Sequence, residues 1–375
     1  MPLESLKNAI KSRLPWTNNL TQKLKAKTWP DRSIACYVGN KPMVLESDLR
    51  AKGASGSEAS IIFLTQEWAK KGYQVTVYTN TEGKDGVYNG VNYQHFRQCN
   101  WYDKFDTLLI ARNPGLLNLE TQAKRIWLEW QDVAYPPKSF TPKYLDKFDK
   151  IFAKSHYQRQ LLPQVPDEKF VIIPNGVSPW VLEMGDRPKN PYKLVYASRY
   201  YRGLESMLSY GWPIIKQEIP EAELHLFYGF TKRDERPARL PWKQKMMELI
   251  AQPGVIDRGK VGYEQLMAEK ATASIHYYGC TYEEVDCISV RESSLVGCVP
   301  VTTDFAVLGE KSYCITVPGE PADRNTQEAI AHKIIHLLKN PDELESIRQK
   351  TKELAKHETW NNLAPLWLRS QHEKP

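Results

Sequence analysis

Short, almost wholly apolar runs recur along the chain, each bounded by polar or turn residues and each followed by a stretch with helical spacing. Runs this short and this apolar fit strands of a parallel sheet that is covered on both faces. The first spans 33–38. A long loop follows, then Gly53-Ala54-Ser55-Gly56-Ser57-Glu58. From 59 to 71 the pattern is helical, with Ile62, Phe63, Trp68 and Ala69 as its apolar stripe. Gly72 supplies a helix stop, and 74–78 reads as the next strand. Strand, glycine-rich loop, helix, glycine, strand is a βαβ unit.

The rhythm continues with strands predicted at 107–111, 125–128, 150–153 and 170–173, ending at the turn signal Pro174-Asn175-Gly176. Residues 181–191 hold Gly185, Pro188 and Pro191 and read as a linker. The pattern then restarts. Strands are predicted at 193–197, 223–228, 273–276 and 299–303. Helices are predicted at 203–218, 263–270, 286–296, 326–339, 342–357 and 360–371. Two α/β halves in succession predict two Rossmann-like βαβ domains facing a central cleft, with ligand at the C-terminal ends of the strands. The expected division is an arm over 1–30, a first domain over 31–185, a second over 186–357 and a helical segment over 358–375.

The chain has 375 residues, 41% hydrophobic and 25% charged, which is the profile of a globular protein and excludes collagen-like or disordered classes. No apolar run is long enough to span a bilayer and no signal peptide is visible, so a cytoplasmic location is expected. Six cysteines without a Cys-x-x-Cys fit a reducing compartment. The net charge is +7, and residues 1–30 carry six cations against Glu4, which leaves only +2 for the rest. A near-neutral body argues against nucleic acid as a partner. Leu3, Leu6, Ile10 and Leu14 recur at helical spacing between Lys7 and Lys11, until Pro15. Such a basic amphipathic arm can lie on an anionic membrane surface, pack on the body, or form a tail.

Three segments carry candidate chemistry. The loop at 53–58 brings glycines and free N–H groups to a helix start, which suits a phosphate or a sugar. It is neither a dinucleotide fingerprint nor a Walker loop, and Ser57 and Glu58 could simply cap the helix. Ser198-Arg199-Tyr-Tyr-Arg202-Gly203 follows the first strand of the second half, where two arginines can grip a diphosphate. Glu284 and Glu292, eight apart, lie before and within one helix that also contains Ile288. A carboxylate there can take paired hydrogen bonds from vicinal hydroxyls. His332 and His336 have metal-ligand spacing on a helix but lack a third ligand nearby, and Cys280 and Cys287 lack the spacing of a zinc site.

Taken together, YASRYYRGLESML, PEAELHLFYG, the Glu-x7-Glu segment with its Gly-x-x-Pro, GASGSE, FAKSHYQRQLL with VIIPNGV, and HETWNNLAPLWL resemble a GT-B-fold glycosyltransferase of the family 4, retaining type. The resemblance covers about residues 33–370. It implies that Gly56 and Ser57 approach the donor phosphate and sugar, and that Arg202, assisted by Arg199, grips the diphosphate. It further implies that Glu284 touches the transferred sugar and Glu292 the ribose, with Ile288 among the donor contacts. The C-terminal helix would cross back to the first domain. Such enzymes use no metal ion and no cofactor; the co-substrate is a nucleotide-diphosphate sugar, UDP- or GDP-linked. Here Gln131 stands where that family often has His, and Asp132 beside it is retained. Asp132 is expected either to orient the acceptor or take its proton, or to cap a helix.

The expected function is therefore transfer of a sugar to a hydroxyl of a saccharide or glycolipid, with Asp132, Arg202 and Glu284 at the chemistry. Two alternatives stay open: a non-catalytic carbohydrate- or nucleotide-binding module on the same fold, and a DNA-base glycosyltransferase. Binding without turnover would mark the first, and tight, steeply salt-dependent DNA binding the second.

Overall fold

The computed structural model describes residues 22–117, 121–135, 137–184 and 187–370. The amphipathic pattern over 3–14 lies outside the described residues. The end of the expected arm does not: Trp29 packs on Phe105 at 5.3 Å and donates its Nε1–H to Asp103 at 2.9 Å.

Eight strands build the first sheet: β1 (Ser33–Pro42), β2 (Gln74–Asn80), β3 (Gly86–Tyr88), β4 (Val91–His95), β5 (Thr107–Ala111), β6 (Arg125–Glu129), β7 (Lys150–Ala153) and β8 (Phe170–Ile172). Their order is β3-β4-β2-β1-β5-β6-β7-β8, and all pairs are parallel except β3 with β4. The second sheet is parallel throughout, in the order β11-β10-β9-β12-β13-β14. Its strands are β9 (Asn190–Ala197), β10 (Glu223–Phe227), β11 (Val255–Asp257), β12 (Ala273–Tyr278), β13 (Val299–Thr303) and β14 (Ile315–Val317). In each sheet the chain order reverses beside the first strand, between β1 and β5 and between β9 and β12. Such switch points leave a crevice at the strand C-termini.

Strand β5 shows why the runs are apolar on both sides. Leu108 and Ile110 join the core around Phe105 and Trp130, whereas Leu109 and Ala111 join the core around Trp68 and Trp127. The helix Trp360–Arg369 follows the second half in sequence but packs on the first. Trp367 stacks on Phe152 at 3.8 Å, and the Trp68 indole donates to the Ala364 carbonyl at 3.2 Å.

Several predicted elements shift. The helix predicted from 59 runs Gly56–Lys70, because Ser55 caps it rather than Ser57. The Glu58 N–H meets Ser55 Oγ at 3.4 Å, and the Ser55 N–H meets Glu58 Oε2 at 2.7 Å, a reciprocal capping box. The supposed long loop contains the helix Glu46–Lys52, and the supposed linker is shortened by β9, which starts at Asn190. The helix predicted at 203–218 opens into a wider π turn over Met207–Gly211 just before Pro213, which has no N–H and would collide with the carbonyl four residues back. The helix Leu240–Ile250 and strands β3, β4, β11 and β14 had no clear signal. The three-residue strands among them are too short to show a period.

Candidate active site

Arg202 follows β9 on a tight turn. Gly203 has φ +118, and a Cβ there would stand 2.2 Å from the Gly279 carbonyl oxygen. Only glycine lets the turn after β9 come this close to the turn after β12. The Thr281 N–H then donates to the Arg202 carbonyl at 3.2 Å. This approach sets Arg202 Nη1 at 2.6 Å from Glu284 Oε1, while the Tyr278 hydroxyl donates to the same oxygen at 2.7 Å. The Tyr282 ring lies 4.2 Å from the guanidinium. Burial opposes the Arg202 charge, but Glu284 outweighs it, so the guanidinium is held more firmly protonated than usual. Its Nε–H is buried and has no partner. A charged donor held ready and unpaired suits an anionic ligand oxygen.

Arg199, on the same turn, stays apart from Glu284. Its guanidinium lies 5.3 Å from the Tyr228 ring and 6.0 Å from that of Tyr201, and no carboxylate pairs with it among the described residues. Tyr228 (φ 124), Cys287 (φ 57) and Arg112 (φ 66) are non-glycine residues held at positive φ, and all three border this cleft. Conformations of this kind persist where the surroundings over-determine them. Cys287 ends the Glu284 loop, so the helix starts at Ile288 rather than at the predicted 286.

Glu292 lies one turn further along that helix, accepting from buried Lys270 Nζ at 2.7 Å and also bonded to Tyr263. Two of its roughly four lone-pair positions are thus taken. From the other half, Gly56 comes so close to Ile288 that a Cβ would stand 2.9 Å from Cδ1. Gly56 and Ile288, predicted on separate halves, are therefore neighbours across the cleft. Ser57 does not reach this group; it lines a pocket within the first half. Asp132 is no helix cap, since no helix starts there. It takes two hydrogen bonds from Arg112, one from Nε at 3.0 Å, and is half exposed. Gln131 beside it is buried, with its amide bonded to Ser60 (2.9 Å) and Asn175 (2.8 Å) and to Glu129.

Gln131 opens a network that joins the two halves. The Asn175 N–H donates to Asp286 at 3.1 Å, the Ser155 hydroxyl to the Val285 carbonyl at 2.7 Å, and the Tyr157 hydroxyl to Glu283 at 2.7 Å. Asp286 also takes Arg291 at 2.7 Å and Lys311 at 3.1 Å, while Arg291 reaches Glu358. Burial raises the Asp286 carboxyl, but Arg291 and Lys311 overcome it and hold it well below the usual range. On the first half, buried Lys154 lies 3.3 Å from Glu129, and burial pulls its amine down. Sequence reading missed Tyr278, Lys270, Arg112 and this network, because their partners lie far away along the chain.

Among the described residues no group of three or more His, Cys, Asp or Glu is placed to hold a metal ion. His332 and His336 are exposed, and His336 meets Glu343 at 2.7 Å. Cys280 and Cys287 are buried free thiols; burial pushes Cys280 up to about 12 and Cys287 well above its ordinary value. Among the described residues no helix is long and apolar enough to cross a membrane.

The two facing halves and their cleft are the GT-B fold, the architecture of nucleotide-sugar glycosyltransferases. Three solved structures carry that likeness. Sucrose-phosphate synthase from Thermosynechococcus elongatus matches with a TM-score of 0.66 at 14% identity, over 90% of this chain and 98% of its own. The E. coli trehalose-6-phosphate structure bound with UDP-2-fluoro glucose matches at 0.67 and 10%, over 92% and 99%. Anabaena HepE in complex with UDP and glucose matches at 0.63 and 12%, over 90% and 99%. No family model matches the chain, and neither does any curated protein.

Proposed function

We propose that this chain is a retaining, metal-independent glycosyltransferase that moves a sugar from a UDP- or GDP-linked donor to a hydroxyl of a saccharide or glycolipid. The observation that carries this reading is Arg202, paired with Glu284 yet keeping a buried, unpartnered Nε–H at the switch point of the second sheet. In this reading residues 31–185 bind the acceptor and 186–357 the donor. Arg202 and Arg199 neutralise the charge that develops on the departing diphosphate. Glu284 accepts hydrogen bonds from the sugar and Glu292 from the ribose. The acceptor hydroxyl attacks the anomeric carbon from the face the diphosphate leaves; the C–O bond to phosphate breaks as the new C–O bond forms. The proton passes to Asp132 or to the departing phosphate. Contact between the halves limits hydrolysis by excluding water. The protein works in the cytoplasm, and its basic N-terminal arm touches a membrane surface. That HepE holds UDP and glucose supports the donor class.

A thermal-shift panel with UDP, GDP, ADP and their sugar conjugates, with and without EDTA, tests the donor site. One nucleotide should shift the transition regardless of EDTA, and Arg202→Ala should abolish the shift. NMR of the product anomer then tests retention: an inverted product overturns it. Nucleotide binding with no turnover on any acceptor would favour the binding-module reading. Sedimentation with anionic vesicles tests the arm.

A further inference from the structure

The first half holds a second cavity, distinct from the Arg202–Glu284 group. It encloses about 540 Å³ of solvent-open space at the C-terminal ends of β1, β2 and β5. Its walls are Val38, Pro42, Met43, Val44, Ile61 and Ile62, and it opens toward the cleft past Ser57 and Arg112. The polar groups around it already serve the protein. The Thr79 hydroxyl donates to the Lys41 carbonyl at 2.6 Å, Glu58 closes its capping box with Ser55, and Tyr93 bonds to Thr65. Lys41 is exposed at the rim, and no carboxylate pairs with it among the described residues.

A bare saccharide brings a hydroxyl on nearly every carbon, and these walls would leave those hydroxyls without partners, which is unfavourable. An alkyl or prenyl chain meets no such penalty, and each buried methylene gains about fourfold in affinity. The lysine at the rim complements an anionic group next to that chain. We propose that this pocket takes the apolar tail of an amphipathic acceptor, with a phosphate or similar anion at Lys41 and the reacting hydroxyl toward the cleft at Ser57. This rests on the glycosyltransferase reading above and names its acceptor as lipid-like rather than a free sugar.

The test is a titration of the full chain with hexyl, heptyl and octyl glucosides and with octyl phosphate, all below micelle formation, run in parallel with the UDP thermal shift. The expected result is a tightening of about fourfold per methylene, reduced at least tenfold by Val44→Asp. Octyl phosphate should bind more tightly than octyl glucoside, and Lys41→Glu, a surface change, should erase that preference. A flat chain-length series, or one unmoved by both variants, with the UDP shift intact overturns the proposal and leaves the glycosyltransferase reading standing. Tail binding with no nucleotide shift would instead sink that reading, and the acceptor role with it. A photoreactive residue at position 43 that crosslinks residues 1–21 of the same chain, rather than octyl glucoside, would also overturn it.

Discussion

Arg202 and Arg291 each meet a carboxylate from one loop, Glu284 and Asp286, yet their surroundings differ. Arg291 is fully buried and bonded on every side, to Asp286 through two nitrogens and to Glu358 through the third, with Lys311 and the Asn175 N–H completing Asp286. The Arg202 side chain is 24% exposed, and one of its N–H groups is idle. A saturated pair has nothing left to offer a ligand, so it acts as a clamp between the halves. An incompletely paired one keeps binding capacity. The same residue types in the same stretch thus do different work, and the count of satisfied donors tells them apart.

The clamp gives the largest expected effect. Arg291→Met leaves Asp286 and Glu358 buried without their main cation and should cost about 3–5 kcal/mol of stability in denaturant unfolding. A loss below about 1 kcal/mol would erase the contrast between the two pairs. Lys189 sharpens it next: this largely buried cation leans on the Ala271 and Val296 carbonyls, and burial lowers its amine to about 8. Because the folded value lies below the unfolded one, the charged amine destabilises the fold at neutral pH. That cost is relieved as pH rises from about 8 toward the unfolded value of about 10.4. The stability of the wild type relative to Lys189→Met should therefore climb across that window, by at most about 3 kcal/mol. A flat difference between pH 8 and 10 would contradict it.

At the site itself, a nucleotide at a hundred times its dissociation constant should add about 2.7 kcal/mol, all of it lost in Arg202→Ala. If Arg291→Met also removed that gain while remaining folded, clamp and site would not be separable. The smallest effect belongs to Asp132. Its pair with Arg112 is 51% and 36% exposed, so Asp132→Asn should change stability by less than about 1 kcal/mol. A hundredfold fall in transfer rate at unchanged stability would then assign Asp132 to the chemistry, and unchanged transfer would remove it.

Much of the cleft was legible in sequence because its parts sit at strand ends. The apolar runs locate the strands, and whatever follows each one must face the crevice; Arg202 after β9 and Glu284 after β12 were found that way. Ser57 was misassigned as a donor contact because capping depends on where the helix begins. Placing the cap at Ser55 turns Ser57 toward the first-half pocket. Lys270, on a helix that looked merely amphipathic, gave no hint of its buried bond to Glu292. The meeting of Gln131 with Asn175, and of Asn175 with Asp286, joins positions 44 and 111 residues apart.

The sequence by itself determined what short-range physics controls: apolar periods, glycine turns, the two α/β halves and the order of charged residues after each strand. Tertiary structure decided which charges are saturated and which keep a free donor. It also carried the Trp360–Arg369 helix onto the first half, and left an apolar pocket beside a cleft lined with arginine. Those outcomes depend on distances between segments far apart in the chain, and only packing of the two sheets sets them.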